Sequence, residues 1–174
     1  MVTNNKNAMN TRKTALSGVL LAIVIITLFL ATTSPVNEMS LYALSSFFVS
    51  VVIVELGIRA GWVFYLASCL LSLILPNKMA LVPYILFFGI YGIIKHYIEK
   101  LNRLVLEYVF KLLYFNVFVF AVAFFARGLI PVNLEKYPWW ILLAAVEVVF
   151  VVYDYAYTLF VQYYMSRIRS KLRV

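Results

Sequence analysis

Charged residues are scarce in this sequence, and their scarcity excludes an ordinary soluble domain. Only 13% of the 174 residues are charged, 65% are hydrophobic, and the mean hydropathy is +0.96. Soluble domains carry about 25% charged residues, and a soluble chain of this length has no interior large enough for so much apolar surface. A lipid bilayer can accommodate that surface, so the composition indicates an integral membrane protein.

Residues that build disulfides, metal sites and nucleotide sites are equally scarce. The chain has one cysteine, Cys69, inside an apolar run, and one histidine, His96, in a charged segment. We interpret Cys69 as a small packed residue and His96 as a solvated loop residue. No phosphate-binding glycine loop is present. We therefore expect no catalytic residues, no metal and no cofactor, and we predict that the chain is not an enzyme.

Basic residues outnumber acidic ones, 15 to 7, which gives a formal charge of +8. In a soluble protein this excess would suggest a nucleic-acid partner. In a membrane protein it is better explained by topology and by anionic lipid headgroups. The predicted surroundings are therefore a lipid bilayer, with no nucleic acid.

Six apolar segments follow one another along the chain, each of a length near the roughly 20 residues that a spanning helix needs. They cover about residues 14–32, 39–56, 60–75, 79–94, 104–126 and 139–165. The sequence thus predicts an all-α integral membrane protein, a compact bundle of about six transmembrane helices over residues 14–165. A cytoplasmic N-terminal segment, 1–13, precedes it and a basic cytoplasmic tail, 166–174, follows it. Gly57 and Gly61 predict a tight connection between the second and third helices, both of which are short.

The distribution of Lys and Arg predicts the orientation, because cytoplasmic loops are enriched in these residues. With the N-terminus inside, the outer segments hold only Lys78, Arg127 and Lys136. The inner segments hold Lys6, Arg12, Lys13, Arg59, Lys95, Lys100, Arg103, Arg167, Arg169, Lys171 and Arg173. An odd number of spans would place the basic tail outside. We therefore expect a multi-pass protein of the cell membrane with both termini in the cytoplasm.

Ionisable residues inside spans are costly in hydrocarbon and are candidates for function. Glu147 and Asp154 lie seven residues apart in the sixth segment, on one face of the predicted helix. Asn116 and nearby tyrosines are candidate partners for them. For Glu147, a ligand contact and a helix–helix contact both stay open, whereas we interpret Asp154 as a packing residue. Lys111 is expected to pair locally with Glu107, four residues before it.

An aromatic set in the fourth segment suggests a site for a flat ligand in the outer half of the membrane. A small-molecule site is an apolar pocket with a few convergent polar groups. Aromatic residues are also ordinary core and lipid-facing residues, and that interpretation stays open. The candidate substrate-binding residues are Tyr84, Phe87, Tyr91, Asn116, Arg127, Trp140 and Glu147.

Three small residues recur at helical spacing in the first segment. Ala15, Gly18 and Ala22 would form a groove in which another helix could approach closely. We therefore predict a partner-docking face on the first helix. The paired serines of the second and third segments are interpreted as packing residues that hydrogen-bond their own helices.

The layout resembles that of a known family. Basic residues before TALSGVLLAIVI, the stretch ELGIRAGWVFYLASCLLSLI and six short helices are similar to the substrate-binding S component of energy-coupling factor (ECF) transporters. In that family the first helix carries a groove of small residues, to which Ala15, Gly18 and Ala22 correspond loosely. The family also has a turn with glycines before its third helix, and Gly57 and Gly61 of this chain match that turn.

The resemblance implies that this chain would act together with other subunits, each with a different role. An S component binds a vitamin or a similar small nutrient near its outer face, and docks on a transmembrane coupling protein driven by two ATPase subunits. Two alternatives belong to other classes. One is a non-transporting membrane scaffold, since the rod-shape protein MreD has a similar size and hydrophobic layout, and the other is a subunit or regulator of a larger membrane complex.

Overall fold

The computed structural model describes residues 2–34, 37–125 and 138–168, and no β-strand occurs among them. The predicted all-α fold is therefore confirmed, with six α-helices in the described ranges. These helices are α1 (Val2–Thr33), α2 (Glu38–Leu56), α3 (Ile58–Ser72), α4 (Gly89–Glu99), α5 (Leu104–Phe125) and α6 (Trp139–Tyr163). A 3₁₀ turn covers Met79–Leu81, and π-helical turns cover Tyr84–Phe88 and Tyr164–Ile168.

Four of the helical segments are long and apolar enough to cross a membrane. They are Thr11–Thr33, Glu38–Leu56, Leu104–Val122 and Trp140–Arg167. Helix α3 is apolar but has only 15 residues, which is about 22 Å of helix against a hydrocarbon core of about 30 Å. The chain is thus a multi-pass membrane protein by the length and composition of its helices.

The chain divides into two units, Met1–His96 and Tyr97–Val174. In the N-terminal unit, α1, α2 and α3 pack on one another. Val24 and Leu28 of α1 and Val49 and Val52 of α2 are fully buried. Many other apolar side chains of these helices are exposed, as expected of a surface that faces lipid.

A single glycine joins α2 to α3. Gly57 has φ 89° and ψ 169°, a conformation that is essentially restricted to glycine. Its N–H donates to the Ile53 carbonyl, and its own carbonyl accepts the N–H of Gly61. A Cβ added at Gly61 would lie 2.5 Å from Ile53 Cγ1. The tight connection predicted from Gly57 and Gly61 is therefore confirmed.

The C-terminal unit contains the antiparallel helices α5 and α6. Phe115 of α5 and Phe150 and Tyr157 of α6 are buried, whereas most of their apolar neighbours are exposed. Asn102, just before α5, has φ 51°, a left-handed conformation that Asn tolerates better than most residues.

The fourth segment differs most from the sequence prediction, since a helix was predicted from about residue 79 and α4 begins only at Gly89, after the 3₁₀ turn Met79–Leu81 and the π-helical turn Tyr84–Phe88. Helix α1 begins at Val2, because the polar segment before the apolar run continues the same helix, and its apolar part, Thr11–Thr33, agrees with the predicted span over residues 14–32. Helix α4 runs to Glu99, so His96 is an exposed helical residue and not a loop residue. The predicted boundaries of a cytoplasmic segment at residue 13 and a tail from residue 166 stay predictions.

Candidate functional site

Three side chains form a charged cluster in the C-terminal unit. Lys111 of α5 is only 6% exposed, and its Nζ lies 3.2 Å from Asp154 Oδ2 of α6 and 3.2 Å from Glu99 Oε1. Asp154 is 8% exposed. Both carboxylates are distant from Lys111 in sequence, and neither belongs to Glu107. Lys111 thus pairs with carboxylates of other elements instead of the local partner that was expected.

A second polar contact joins the same two helices. Asn116 Nδ2 donates to Glu147 Oε1 at 3.3 Å and to the Leu112 carbonyl at 2.9 Å. The prediction that Asn116 helps to satisfy Glu147 is confirmed. Between this contact and the charged cluster, the rings of Phe115 and Phe150 stack with centroids 4.4 Å apart.

The contacts define one register of α5 against α6. Lys111 and Phe115 are four residues apart, and so are their partners Asp154 and Phe150, in the opposite chain direction. Because residues four apart lie on the same face of a helix, the two pairs extend along one antiparallel seam. Helix–helix packing is thus one role that Asp154 and Glu147 both fulfil.

The N-terminal unit holds the aromatic part of the predicted site. Tyr84 and Tyr91 are fully buried, Phe87 is 3% exposed, and the rings of Phe87 and Tyr91 lie 5.4 Å apart. Phe87 also meets Phe88 edge to face at 5.1 Å. These residues sit on the π-helical turn Tyr84–Phe88 and the first turns of α4.

Hydroxyl groups tie that turn to α3. The hydroxyls of Tyr84 and Ser68 lie 2.7 Å apart, and the Ser68 hydroxyl donates to the Tyr65 carbonyl at 2.7 Å. The Tyr65 hydroxyl donates to the Ile85 carbonyl at 2.7 Å. In the preceding 3₁₀ turn, the Ala80 carbonyl accepts the hydroxyl of Tyr42 from α2. Each of these hydroxyls therefore has a hydrogen-bond partner, and the region is well packed.

Buried serines elsewhere in α2 and α3 bond their own helices, as predicted. The hydroxyls of Ser46, Ser50 and Ser72 each donate to the backbone carbonyl three residues earlier. Thr27 of α1 donates to the Ile23 carbonyl, four residues earlier. Each of these hydroxyls therefore has a hydrogen-bond partner within its own helix.

The small residues of α1 lie on its exposed side. Ala15, Gly18 and Ala22 are exposed, whereas Leu20, Val24 and Leu28 face the packed interior of the N-terminal unit. A Cβ added at Gly18 would meet nothing within 4 Å.

The predicted substrate-binding residues are brought together in two separate groups. Tyr84, Phe87 and Tyr91 cluster in the N-terminal unit, and Asn116 contacts Glu147 in the C-terminal unit. Trp140 is 60% exposed near the start of α6, and Arg127 lies outside the described residues. A site that combines both groups stays a prediction.

The sequence identified most of the polar residues of these clusters but not their hydrogen-bond and ion-pair partners. Asp154 stood out as an ionisable residue inside the sixth span and Lys111 as one near the inner end of the fifth, and the opposite signs of their charges were the signal that could have paired them. For the hydroxyl contacts of Tyr42 and Tyr65 with backbone carbonyls, spacing gave no signal. No group of three or more His, Cys, Asp or Glu suited to a metal occurs within the described ranges.

Comparison with known proteins adds no family. The chain matches no family model, and no curated protein and no solved structure matches it.

Proposed function

We propose that this chain is the membrane-embedded, substrate-binding subunit of an uptake transporter for a vitamin or similar small nutrient. It would depend on a separate transmembrane coupling protein and ATPase subunits, as its resemblance to the ECF S component implies. The observation that carries the proposal is the exposed row of small residues on α1. The layout of short apolar helices without a nucleotide motif supports the same division of labour.

The small-residue row is suited to a partner helix. Ala15, Gly18 and Ala22 are on the side of α1 opposite its packed residues, and Gly18 has open space beside it. Small side chains let two helix backbones approach closely in a membrane, where association depends on van der Waals packing. In this proposal the row receives a helix of the coupling protein.

The ligand-binding part of the proposal assigns stacking to the aromatic cluster Tyr84, Phe87 and Tyr91. A flat nutrient would stack on these rings, and Glu147 or Asn116 would orient it by hydrogen bonds. The alternative is a non-transporting scaffold of the MreD type. The contacts of Glu147 and Asp154 with α5 favour that alternative, because they give both carboxylates a structural role.

The proposed location is the cell membrane, with both termini in the cytoplasm. The charge asymmetry of the sequence supports this orientation. An even number of spans places both termini on the same side of the membrane. The same side is therefore expected for six spans and for the four long helices alone. Ser170→Cys in a Cys69→Ser background tests it by labelling of intact cells, although residue 170 lies outside the described residues. Efficient labelling from outside would contradict the orientation.

The decisive experiment is affinity purification of the tagged chain from its native host in mild detergent. We expect co-purification of ATPase subunits, detected as ATP hydrolysis in the eluate, together with a stoichiometric small molecule detected by mass spectrometry. Gly18→Leu and Ala22→Leu should remove the ATPase activity and leave a folded protein. Co-purified cell-wall or division proteins, without hydrolysis or ligand, would support the scaffold instead.

Matched controls are available on α6. Ala145 and Ala156 are exposed small residues outside the α1 row, so Ala145→Leu and Ala156→Leu add the same bulk as Ala22→Leu to another surface. These variants should keep the ATPase activity. Equal loss in both pairs would show that added bulk acts through folding, and no loss in either pair would remove the docking role of the α1 row.

A further inference from the structure

Basic side chains from different segments meet at one end of the C-terminal unit. In the register that pairs Lys111 with Asp154, Arg103 lies eight residues before Lys111 and is therefore level with the last turn of α6. The ion pair of Lys111 with Glu99 brings the C-terminal end of α4 to the same place. Lys100, the residue after Glu99, consequently lies at this end as well.

Helix α6 contributes a third basic residue to this end. Arg167 belongs to the π-helical turn Tyr164–Ile168, which continues α6. It lies five residues beyond the level of Arg103, a rise of roughly 8 Å along the helix axis. Lys100, Arg103 and Arg167 are all exposed. We call these three residues the basic end of the unit.

The carboxylates of the unit leave the basic end with a surplus of positive charge. Two of them, Glu99 and Asp154, are each held 3.2 Å from Lys111. The third carboxylate near this end, among residues 97–125 and 138–168, is the half-buried Glu107. The chain after residue 168 adds three more basic residues and no acidic one. Three exposed cations therefore stand against one carboxylate.

Exposed tyrosines and apolar side chains accompany the basic end. Tyr97 of α4, Tyr108 of α5 and Tyr163 of α6 are each more than half exposed. Tyrosine is enriched at membrane–water interfaces, where its ring lies at the level of the lipid headgroups. Leu104 and Val105, directly after Arg103, are exposed too. The surface thus offers cations for a headgroup beside apolar side chains for acyl chains.

We propose that the basic end binds an anionic phospholipid of the surrounding membrane. Its phosphate would lie at Lys100, Arg103 and Arg167, because a guanidinium group donates paired hydrogen bonds to phosphate oxygens and an ammonium group adds a positive charge. The surplus charge favours a headgroup with net negative charge over a zwitterionic one. This inference rests neither on the proposed transport function nor on the orientation of the chain.

The test is native mass spectrometry of the delipidated full chain in detergent, titrated with phosphatidylglycerol or phosphatidylcholine of the same acyl chains at fixed ionic strength. Phosphatidylglycerol should bind more tightly. Each basic residue near an anionic lipid contributes about fivefold in affinity. Arg103→Gln/Arg167→Gln should therefore weaken phosphatidylglycerol binding about 25-fold, and Arg103→Lys/Arg167→Lys should weaken it much less.

A matched control removes two charges from another part of the chain. Arg12 and Arg59 are exposed arginines of the N-terminal unit, so Arg12→Gln/Arg59→Gln should leave the affinity for phosphatidylglycerol unchanged. An equal loss in both double variants would overturn the site, because net charge alone would explain it. Equal binding of the two lipids, or displacement of phosphatidylglycerol by inorganic phosphate at the same concentration, would also overturn it.

A single substitution keeps the test decisive if a double variant does not fold. Lys100→Gln changes one exposed side chain and should weaken phosphatidylglycerol binding about fivefold. Its matched control is Lys78→Gln, since Lys78 is an exposed lysine of the N-terminal unit. Circular dichroism checks that each variant is folded. Unchanged affinity in a folded Lys100→Gln variant would remove Lys100 from the site and contradict the proposal.

Discussion

The two units of this protein place polar groups among apolar helices in different ways. In the N-terminal unit, neutral hydroxyls of serine and tyrosine donate mainly to backbone carbonyls. In the C-terminal unit, Lys111, Asp154 and Glu99 meet as full charges contributed by different elements. A serine bonded to its own helix keeps its partner when helices separate, whereas a charge in hydrocarbon depends on its partner. The charged cluster of the C-terminal unit should therefore be more sensitive to single substitutions than the self-bonded serines of the N-terminal unit.

The largest effect should come from breaking the charged cluster. Lys111→Met leaves Asp154 buried without its ammonium, and removal of one partner of a buried ion pair costs roughly 3–5 kcal/mol. The free energy of unfolding, measured by denaturant titration in mixed micelles, should fall by that order. Lys100→Met is the control, because Lys100 is exposed. The double variant Lys111→Met/Asp154→Leu should recover much of the loss, and failure to recover would mean that the charge is not the cause.

The next effect should come from Ser68, a serine that bridges two elements. Ser68→Ala takes away the hydroxyl that lies 2.7 Å from the Tyr84 hydroxyl, and loss of a buried hydrogen-bond partner costs about 1–3 kcal/mol. The same titration measures it. A cost no larger than that of the self-bonded serines would show that Tyr84 finds another partner easily.

A smaller effect is expected for the contact between Asn116 and Glu147 in the C-terminal unit, in which one partner is an amide. A double-mutant cycle with Asn116→Leu and Glu147→Leu should give a coupling energy of about 0.6 kcal/mol, the average for hydrogen bonds between membrane helices. The coupling of Lys111 with Asp154, measured in the same way, should be larger. Equal couplings would remove the distinction drawn between the ion pair and the amide contact.

The smallest effect should come from a serine that bonds only its own helix. Ser45 is fully buried and donates to the Tyr42 carbonyl at 2.7 Å, and that carbonyl also belongs to α2. Ser45→Ala should change the free energy of unfolding by less than about 0.5 kcal/mol. A loss comparable to that of Ser68→Ala would show that burial, and not the bridging bond, determines the cost.

The sequence predicted helices well and their mutual contacts poorly. Hydropathy located α2, α5 and α6 to within a few residues, because a long apolar run determines a membrane helix by itself. The glycines at 57 and 61 predicted the tight connection, since a left-handed backbone and a close approach both require glycine. The C-terminal end of α4 was missed because charged residues there resemble a loop when their packing is unknown.

In the candidate sites, too, the sequence predicted residues better than the contacts between them. Asn116 was identified as a partner for Glu147 because few amides occur in the spans. The pairing of Lys111 with Glu99 and Asp154 depends on the register of α5 against α6, which spacing within one helix does not determine. The hydrogen bond from the Tyr65 hydroxyl to the Ile85 carbonyl lies at a π-helical turn, which hydropathy and residue spacing did not predict.

The one-residue connection at Gly57 has a consequence for how the protein is made. Helix α3 has 15 residues and follows α2 after a single residue, so no flexible chain separates the two during synthesis. A helix of that length is a poor stop signal by itself, whereas α2 has 19 residues and could span a membrane. We therefore expect α2 and α3 to enter the membrane together, as one helical hairpin.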